Sequence, residues 1–263
     1  MFEWNPALWM FAPLSAMAVL TWLISLAKQD ASIVDSVWPL FFAAVLALGY
    51  LSEAPNGPRA LPAVFLLGAW ALRLCAYLTW RNWGQAEDRR YQAIRARNQP
   101  NYALKSLPYV FLLQAVLAWI IALPILPVLK SAADWSVLDT LGAALFFLGL
   151  AYETIADAQL ARFRADPAAR GAVMDRGLWR YCRHPNYFGE CVLWWGFFLL
   201  AVGGQAPAWL VVSPLLMTFL LLKVSGVPLL EEDLSQRRPG YREYVARTPA
   251  FIPWSPRGEE TAP

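Results

Sequence analysis

The chain has 263 residues, of which 58% are apolar and only 16% charged, with a mean hydropathy of +0.39 and a formal net charge of +3. A soluble domain usually carries about 25% charged residues, so the composition excludes an ordinary cytosolic globule, a disordered chain and a disulfide scaffold. Most of this protein is expected to have lipid as its solvent.

Apolar stretches near the length of about 20 residues that crosses a bilayer occur in chain order at 6–27, 31–52, 60–80, 107–129, 136–153, 189–204 and 207–230. The first has neither a basic leader nor a small-residue cleavage site, so it reads as a span and not as a removable signal. The last two are divided by the breaker run Gly203-Gly204-Gln205-Ala206-Pro207. The sixth is short and is expected to begin near Pro185-Asn186. Eighteen of the 22 lysines and arginines fall in segments 28–30, 81–106, 154–188 and 231–263. Seven crossings put all four segments on one side, and the positive-inside rule makes that side cytoplasmic.

The expected fold is therefore an all-α integral membrane protein of seven transmembrane helices, with the N-terminus outside and the C-terminus cytoplasmic. It forms one membrane domain over 1–263. Spans one to four, within 1–130, are assigned the substrate side. Spans five to seven and their loops, within 131–254, are assigned the cofactor, and 255–263 reads as a loose tail. Tryptophans at span ends, such as Trp4, Trp9 and Trp135, fit interfacial belts.

Several function classes drop out at this point. Cys75, Cys182 and Cys191 form no CxxC pair, and His184 is the single histidine, so neither a zinc site nor another metal centre is expected. The basic segments lie between spans and form no separate module for nucleic acid. No internal repeat marks an inverted-repeat transporter.

Ionisable residues inside spans are costly and mark a path or a site. Asp35 lies in span two, close to Pro39, and Arg73 in the middle of span three; an ion pair between the two is one reading. Lys223 is close enough to a span end to snorkel. Glu153 and Asp157, four apart and so on one helical face, precede Arg162 and Arg164. Arginines grip phosphate bidentately and carboxylates take ribose or amide hydrogens, the combination a dinucleotide requires. A GxGxxG loop is absent, so no Rossmann domain supplies it.

The densest stretch of chemistry-bearing residues runs from Arg176 to Glu190. From Gly177 it reads Gly-Leu-Trp-x-Tyr-x-Arg-His-Pro-Asn-Tyr-Phe-Gly-Glu. With Glu87-Asp88-x-Arg90-Tyr91, and with Pro239-Gly240-Tyr241-x-x-Tyr244 through Phe251-Ile252-Pro253, it resembles the membrane reductases related to steroid 5-alpha-reductase. The match is to their bacterial branch, formerly described only as a domain of unknown function. The resemblance implies a seven-span, multi-pass protein of the bacterial inner membrane. Its activity would be NADPH-dependent reduction of a carbon–carbon double bond conjugated to a carbonyl. The substrate would be an apolar small molecule, steroid- or isoprenoid-like, entering from the bilayer; membrane lipid is the other partner, and no obligate protein partner is implied.

By the same resemblance Asp157, Arg164, Asn186 and Glu190 match cofactor-holding positions, and Arg73 matches an arginine of the nicotinamide half. Glu153 stands where the steroid enzymes have an amide. Tyr181, Arg183 and His184, with Tyr241 and Tyr244, follow the bacterial pattern and are assigned to the cofactor pocket. The steroid enzymes hold the substrate carbonyl with a Gln-Glu pair and a tyrosine; here Ser36, Val37 and Trp70 occupy those places. Asp35 and Tyr91 become the candidate catalytic acids. A rival resemblance is to isoprenylcysteine carboxyl methyltransferases, through Arg183-His184-Pro185-x-Tyr187 and Leu230-Glu231-Glu232 with Tyr241 and Tyr244, which would imply S-adenosylmethionine. Asn186, Gly189-Glu190 and the Glu87-Asp88 motif favour the reductase. A non-enzymatic transporter with Asp35 and Arg73 on its path is the third reading.

Overall fold

The computed structural model describes residues 4–53, 55, 57–224, 231, 234 and 238–257. Every regular element among them is helical, in line with the expected all-α class. In chain order the first are α1 (Trp4–Lys28), α2 (Ile33–Glu53), α3 (Ala60–Asn82) and a nine-residue α4 (Arg89–Arg97). Two long helices follow, α5 (Tyr102–Lys130) and α6 (Val137–Ala165), then α7 (Pro185–Gly203), α8 (Ala208–Val224) and α9 (Tyr241–Arg247). Five of these, α1, α2, α3, α5 and α6, are long and apolar enough to cross a membrane, consistent with a multi-pass integral membrane protein. The expected sixth span is α7, which does begin at Pro185. The seventh falls on α8, apolar but shorter, and its expected last residues, 225–230, lie outside the described residues.

The chain divides into two compact units, one holding residues up to Leu141 with Phe198–Ser213, the other Gly142–Phe197 with Pro214 onward. In the first unit Phe41, Phe42, Trp70 and Phe111 are fully buried, and Phe42 meets the edge of Trp70 with ring centroids 5.2 Å apart. Lipid tails are as apolar as these rings, so dispersion and ring geometry hold the helices together, not water exclusion. Polar ties add to it: Trp119 Nε1 donates to the Ala7 carbonyl (2.7 Å) and Ser213 Oγ to that of Ile121 (2.5 Å). Pro108 cannot donate to the helical ladder, and α5 widens into a π-turn over Leu107–Leu112.

One side chain of this unit went unrecognised in the sequence except as a charge. Arg59, fully buried, donates from Nε and Nη2 to both carboxylate oxygens of Asp139 at 2.7 and 2.6 Å. Its remaining hydrogens reach Ser131 Oγ and the carbonyls of Ala133, Asp134 and Gly203. Asp139 also accepts from the Ser136 amide and hydroxyl. Every donor of the guanidinium is engaged, the condition under which a buried ion pair is tolerated.

In the second unit α6 and α7 run antiparallel with their backbones in contact. A Cβ at Gly149 would stand 2.5 Å from the Gly189 carbonyl oxygen, and one at Gly189 2.6 Å from the Glu153 nitrogen. A Cβ at Gly196 would stand 2.6 Å from the Gly142 carbonyl oxygen. Backbone atoms cannot yield to such contacts, so the seam admits glycine alone, the small-residue packing of membrane helices. The expected fifth span stops at Glu153, but α6 continues to Ala165. Nothing in Thr154–Arg164 breaks a helix, and the chain leaves it only before Asp166-Pro167. At 1.5 Å per residue its 29 residues extend about 43 Å, beyond a hydrocarbon core of about 30 Å.

Candidate functional site

The chemistry-bearing residues gather in two clusters, one in each unit. In the first unit the cluster is built from the turn before α2. Glu87 Oε1 accepts from the Ala31 amide (2.8 Å) while its carboxylate pairs with Arg95. The Asp88 amide donates to Ser32 Oγ (3.4 Å), and the Asp88 carboxylate caps α4 by accepting from the Arg90 amide (2.9 Å). Those contacts pin the start of α4 against the start of α2. Arg90 Nη2 then reaches Asp35 Oδ2 at 2.7 Å, and the Tyr91 hydroxyl donates to Asp35 Oδ1 at 2.5 Å. Gln114 of α5 donates to the Tyr91 oxygen at 3.2 Å.

The two candidate acids are thus brought together, with Arg90 as the cation on Asp35. Asp35 accepts from both neighbours, the Arg90 guanidinium and the Tyr91 hydroxyl. Tyr91 is buried, and desolvation with the charge of Asp35 pushes its phenol well above the ordinary value, Arg90 opposing. Burial alone would lower Arg90, but Asp35 and Asp88 outweigh it and raise it. For Asp88, burial acts upward, yet the hydrogen bonds and charge of Arg90 hold its carboxyl below the usual range. Arg73 belongs to this unit, in the middle of α3.

The second unit carries the expected cofactor residues on its glycine seam. Glu153 and Asp157 of α6 and Glu190 of α7 are buried, and Asn186 Nδ2 donates to Asp157 Oδ1 at 3.3 Å. The close approach at Gly149 and Gly189 lets Asp157, about two turns beyond Gly149, meet Asn186, about one turn before Gly189. The turn Leu178–Tyr181 is strapped to α6 by Trp179 Nε1 on the Ala156 carbonyl (3.0 Å) and by the Leu178 amide on Gln159 Oε1 (2.9 Å). Gly177 enters that turn at φ +58°, a conformation that favours glycine.

Other residues assigned to the pocket carry contacts within the C-terminal part of the chain. Arg183 forms a fork with Glu231 at 2.8 and 3.2 Å and spends Nη1 on the carbonyls of Val245 and Thr248. His184 Nε2 meets the same Glu231 at 2.9 Å. The Tyr244 hydroxyl donates to the Trp179 carbonyl, and Tyr241 is buried beside it. Arg183 and Tyr244 clasp α9 to the 179–184 segment, while His184 ties the same segment to Glu231. Burial raises Glu231, but His184 and Arg183 overcome it and hold its carboxyl low. The Cys182 thiol, pushed up to about 12 by burial, donates to the Phe251 carbonyl and is an inert packing group. Tyr181 and Arg164 are exposed. Within the expected loose tail, 255–263, Arg257 donates its amide to the Arg247 carbonyl at 2.8 Å; 258–263 lie outside the described residues, as do Leu230 and Glu232 of the methyltransferase-like motif.

Sequence reading missed the partners of these residues. Arg90 and Glu231 stand within motifs of the sequence that give them no role of their own, and Gln114 and the glycine seam were not singled out. The seam had a legible signal, glycines seven apart in both helices at 142 and 149 and at 189 and 196. Comparison with known proteins gives a family match over residues 21–248, described as "Protein of unknown function (DUF1295)". The chain is also 25% identical to "Uncharacterized protein C594.04c" of Schizosaccharomyces pombe, a match covering 88% of this chain and 75% of that protein. No solved structure is significantly similar.

Proposed function

We propose that this chain, which belongs to the DUF1295 family, is a membrane oxidoreductase that uses NADPH to reduce a carbon–carbon double bond conjugated to a carbonyl. The substrate is apolar, steroid- or isoprenoid-like, and enters from the bilayer. The observation that carries the reading is the Tyr91 hydroxyl held 2.5 Å from Asp35 beside the Arg90 ion pair. A buried hydrogen-bond donor with a fixed counterion is what an enone carbonyl needs as charge develops on its oxygen. The resemblance of Gly177–Glu190 to reductases related to steroid 5-alpha-reductase supports the same chemistry. The charge distribution supports seven crossings with the C-terminus cytoplasmic, α7 and α8 serving as the last two.

The second cluster suits the cofactor. Ribose hydroxyls and the nicotinamide carboxamide are donors, and Glu153, Asp157, Glu190 and the Asn186 carbonyl are acceptors. The cations come from the resemblance: Arg164 is proposed for the phosphates and Arg73 for the nicotinamide half. NADPH, when bound, supplies the hydride for the β-carbon of the enone. Tyr91 turns its hydroxyl from Asp35 to the substrate oxygen, Gln114 steadying the phenol oxygen and Arg90 keeping the charge of Asp35 balanced. A solvent proton completes the α-carbon, so one NADPH and one proton are consumed for each double bond.

The test is substrate-dependent NADPH oxidation by purified protein over a panel of apolar enones, run beside S-adenosylmethionine consumption. The reading expects NADPH oxidation matched by saturated product. Methyl transfer without NADPH oxidation would replace it with the methyltransferase reading.

A further inference from the structure

Where the last turn of α1 meets α4 and the first turn of α5, the first unit holds a cavity of about 380 Å³ whose lining includes Ser25, Leu26, Gln29, Arg95, Tyr102 and Ser106. Its volume is that of a small-molecule site, and none of these residues takes part in the chemistry proposed above. Tyr102 is 4% exposed, yet its hydroxyl has no hydrogen-bond partner among the described residues. A buried polar group left so is costly, and a ligand in the cavity removes the cost. The Arg95 guanidinium lies 4.5 Å from the centre of the Tyr102 ring. Its Nε and Nη2 serve Glu87 and the Gln29 carbonyl, which leaves Nη1 as a charged donor.

The acceptor side is equally defined. Ser25 and Ser106 donate their hydroxyl hydrogens to the Trp22 and Ala103 carbonyls at 2.7 and 2.8 Å, so their oxygens are left to accept. Two donors, one charged, beside two acceptors match a phosphate ester that carries hydroxyl groups. Leu23, Leu26 and Leu104, on the helices that frame the cavity, are exposed apolar residues. They give acyl chains a surface to follow while a headgroup occupies the polar recess.

We propose that this cavity binds the phosphoglycerol headgroup of an anionic membrane lipid. The shared chemistry, a phosphate ester with hydroxyls, also belongs to free glycerol 3-phosphate, and the apolar rim selects the lipid. The experiment is native mass spectrometry of the full chain in detergent, titrated with phosphatidylglycerol, phosphatidylcholine or glycerol 3-phosphate. Binding is read without turnover, so a failed NADPH assay leaves this test intact. Phosphatidylglycerol should be retained in preference to phosphatidylcholine, and free glycerol 3-phosphate should bind more weakly than the lipid. Tyr102→Phe should weaken retention roughly tenfold, the equivalent of one hydrogen bond, with an unchanged or raised melting temperature in lipid-free detergent. Arg95→Gln should reduce retention too. Wild-type retention by Tyr102→Phe, equal binding of the two lipids, or glycerol 3-phosphate binding as tightly as the lipid would each overturn the proposal.

Discussion

Asp35 and Tyr91 are 56 positions apart and meet because Glu87 and Asp88 are spent on the turn preceding α2. The phenol is the group whose loss isolates the proposed acid step. Tyr91→Phe should lower kcat by about 10²–10⁴-fold, the usual contribution of a positioned acid, while leaving NADPH affinity unchanged; stopped-flow and equilibrium titration separate the two quantities. A parallel loss of NADPH affinity would move Tyr91 from the acid to the cofactor site. The depressed carboxyls of Asp88 and Glu231 make a second prediction. A carboxyl held low in the fold contributes stability that is fully present above its unfolded pKa, about 4, and lost as pH falls through the folded value. The melting temperature should therefore hold between about pH 7 and 5 and fall below about pH 4. Asp88→Asn should flatten part of that fall.

Among the elements, α6 and α7 carry the sharpest test of packing. Gly189→Ala places a methyl group 2.6 Å from a backbone nitrogen and should abolish the folded protein or shift its melting temperature steeply downward. Gly68→Ala in α3, where a Cβ meets nothing within 4 Å, should be neutral or stabilising by up to about 1 kcal/mol. Thermal unfolding followed by gel filtration compares them directly. Equal tolerance of both would show that the seam is looser than described. The helices themselves were legible because hydrophobic runs of bilayer length need little tertiary information. What the sequence could not show was where α6 would end, since polarity rises after Glu153 without any residue that stops a helix. Nor could it distinguish cations that grip a ligand from those that hold the chain. Arg183 sits in the most family-like motif, and its partners lie 48 to 65 positions away.

At the scale of the whole molecule, the Arg59–Asp139 pair closes the first unit by joining the start of α3, the α5–α6 connection and the end of α7. Removing one partner strands a buried charge, a loss of about 3–5 kcal/mol. Arg59→Ala should therefore reduce the yield of folded protein from membranes sharply. Arg59→Ala combined with Asp139→Ala should recover part of the loss, as a double-mutant cycle would register. Asp35 resisted the same kind of sequence reading, because its partner Arg90 arrives from a loop helix whose position depends on two other carboxylates.

NADPH titration of the purified full chain, followed by quenching of its 14 tryptophans with S-adenosylmethionine as competitor, tests the nicotinamide assignment most directly. Saturable NADPH binding that S-adenosylmethionine does not displace, weakened tenfold or more by Asp157→Asn or Asn186→Ala, is the result expected if the seam cradles the dinucleotide. Saturable S-adenosylmethionine binding with no response to NADPH, or NADPH binding indifferent to both substitutions, would contradict it.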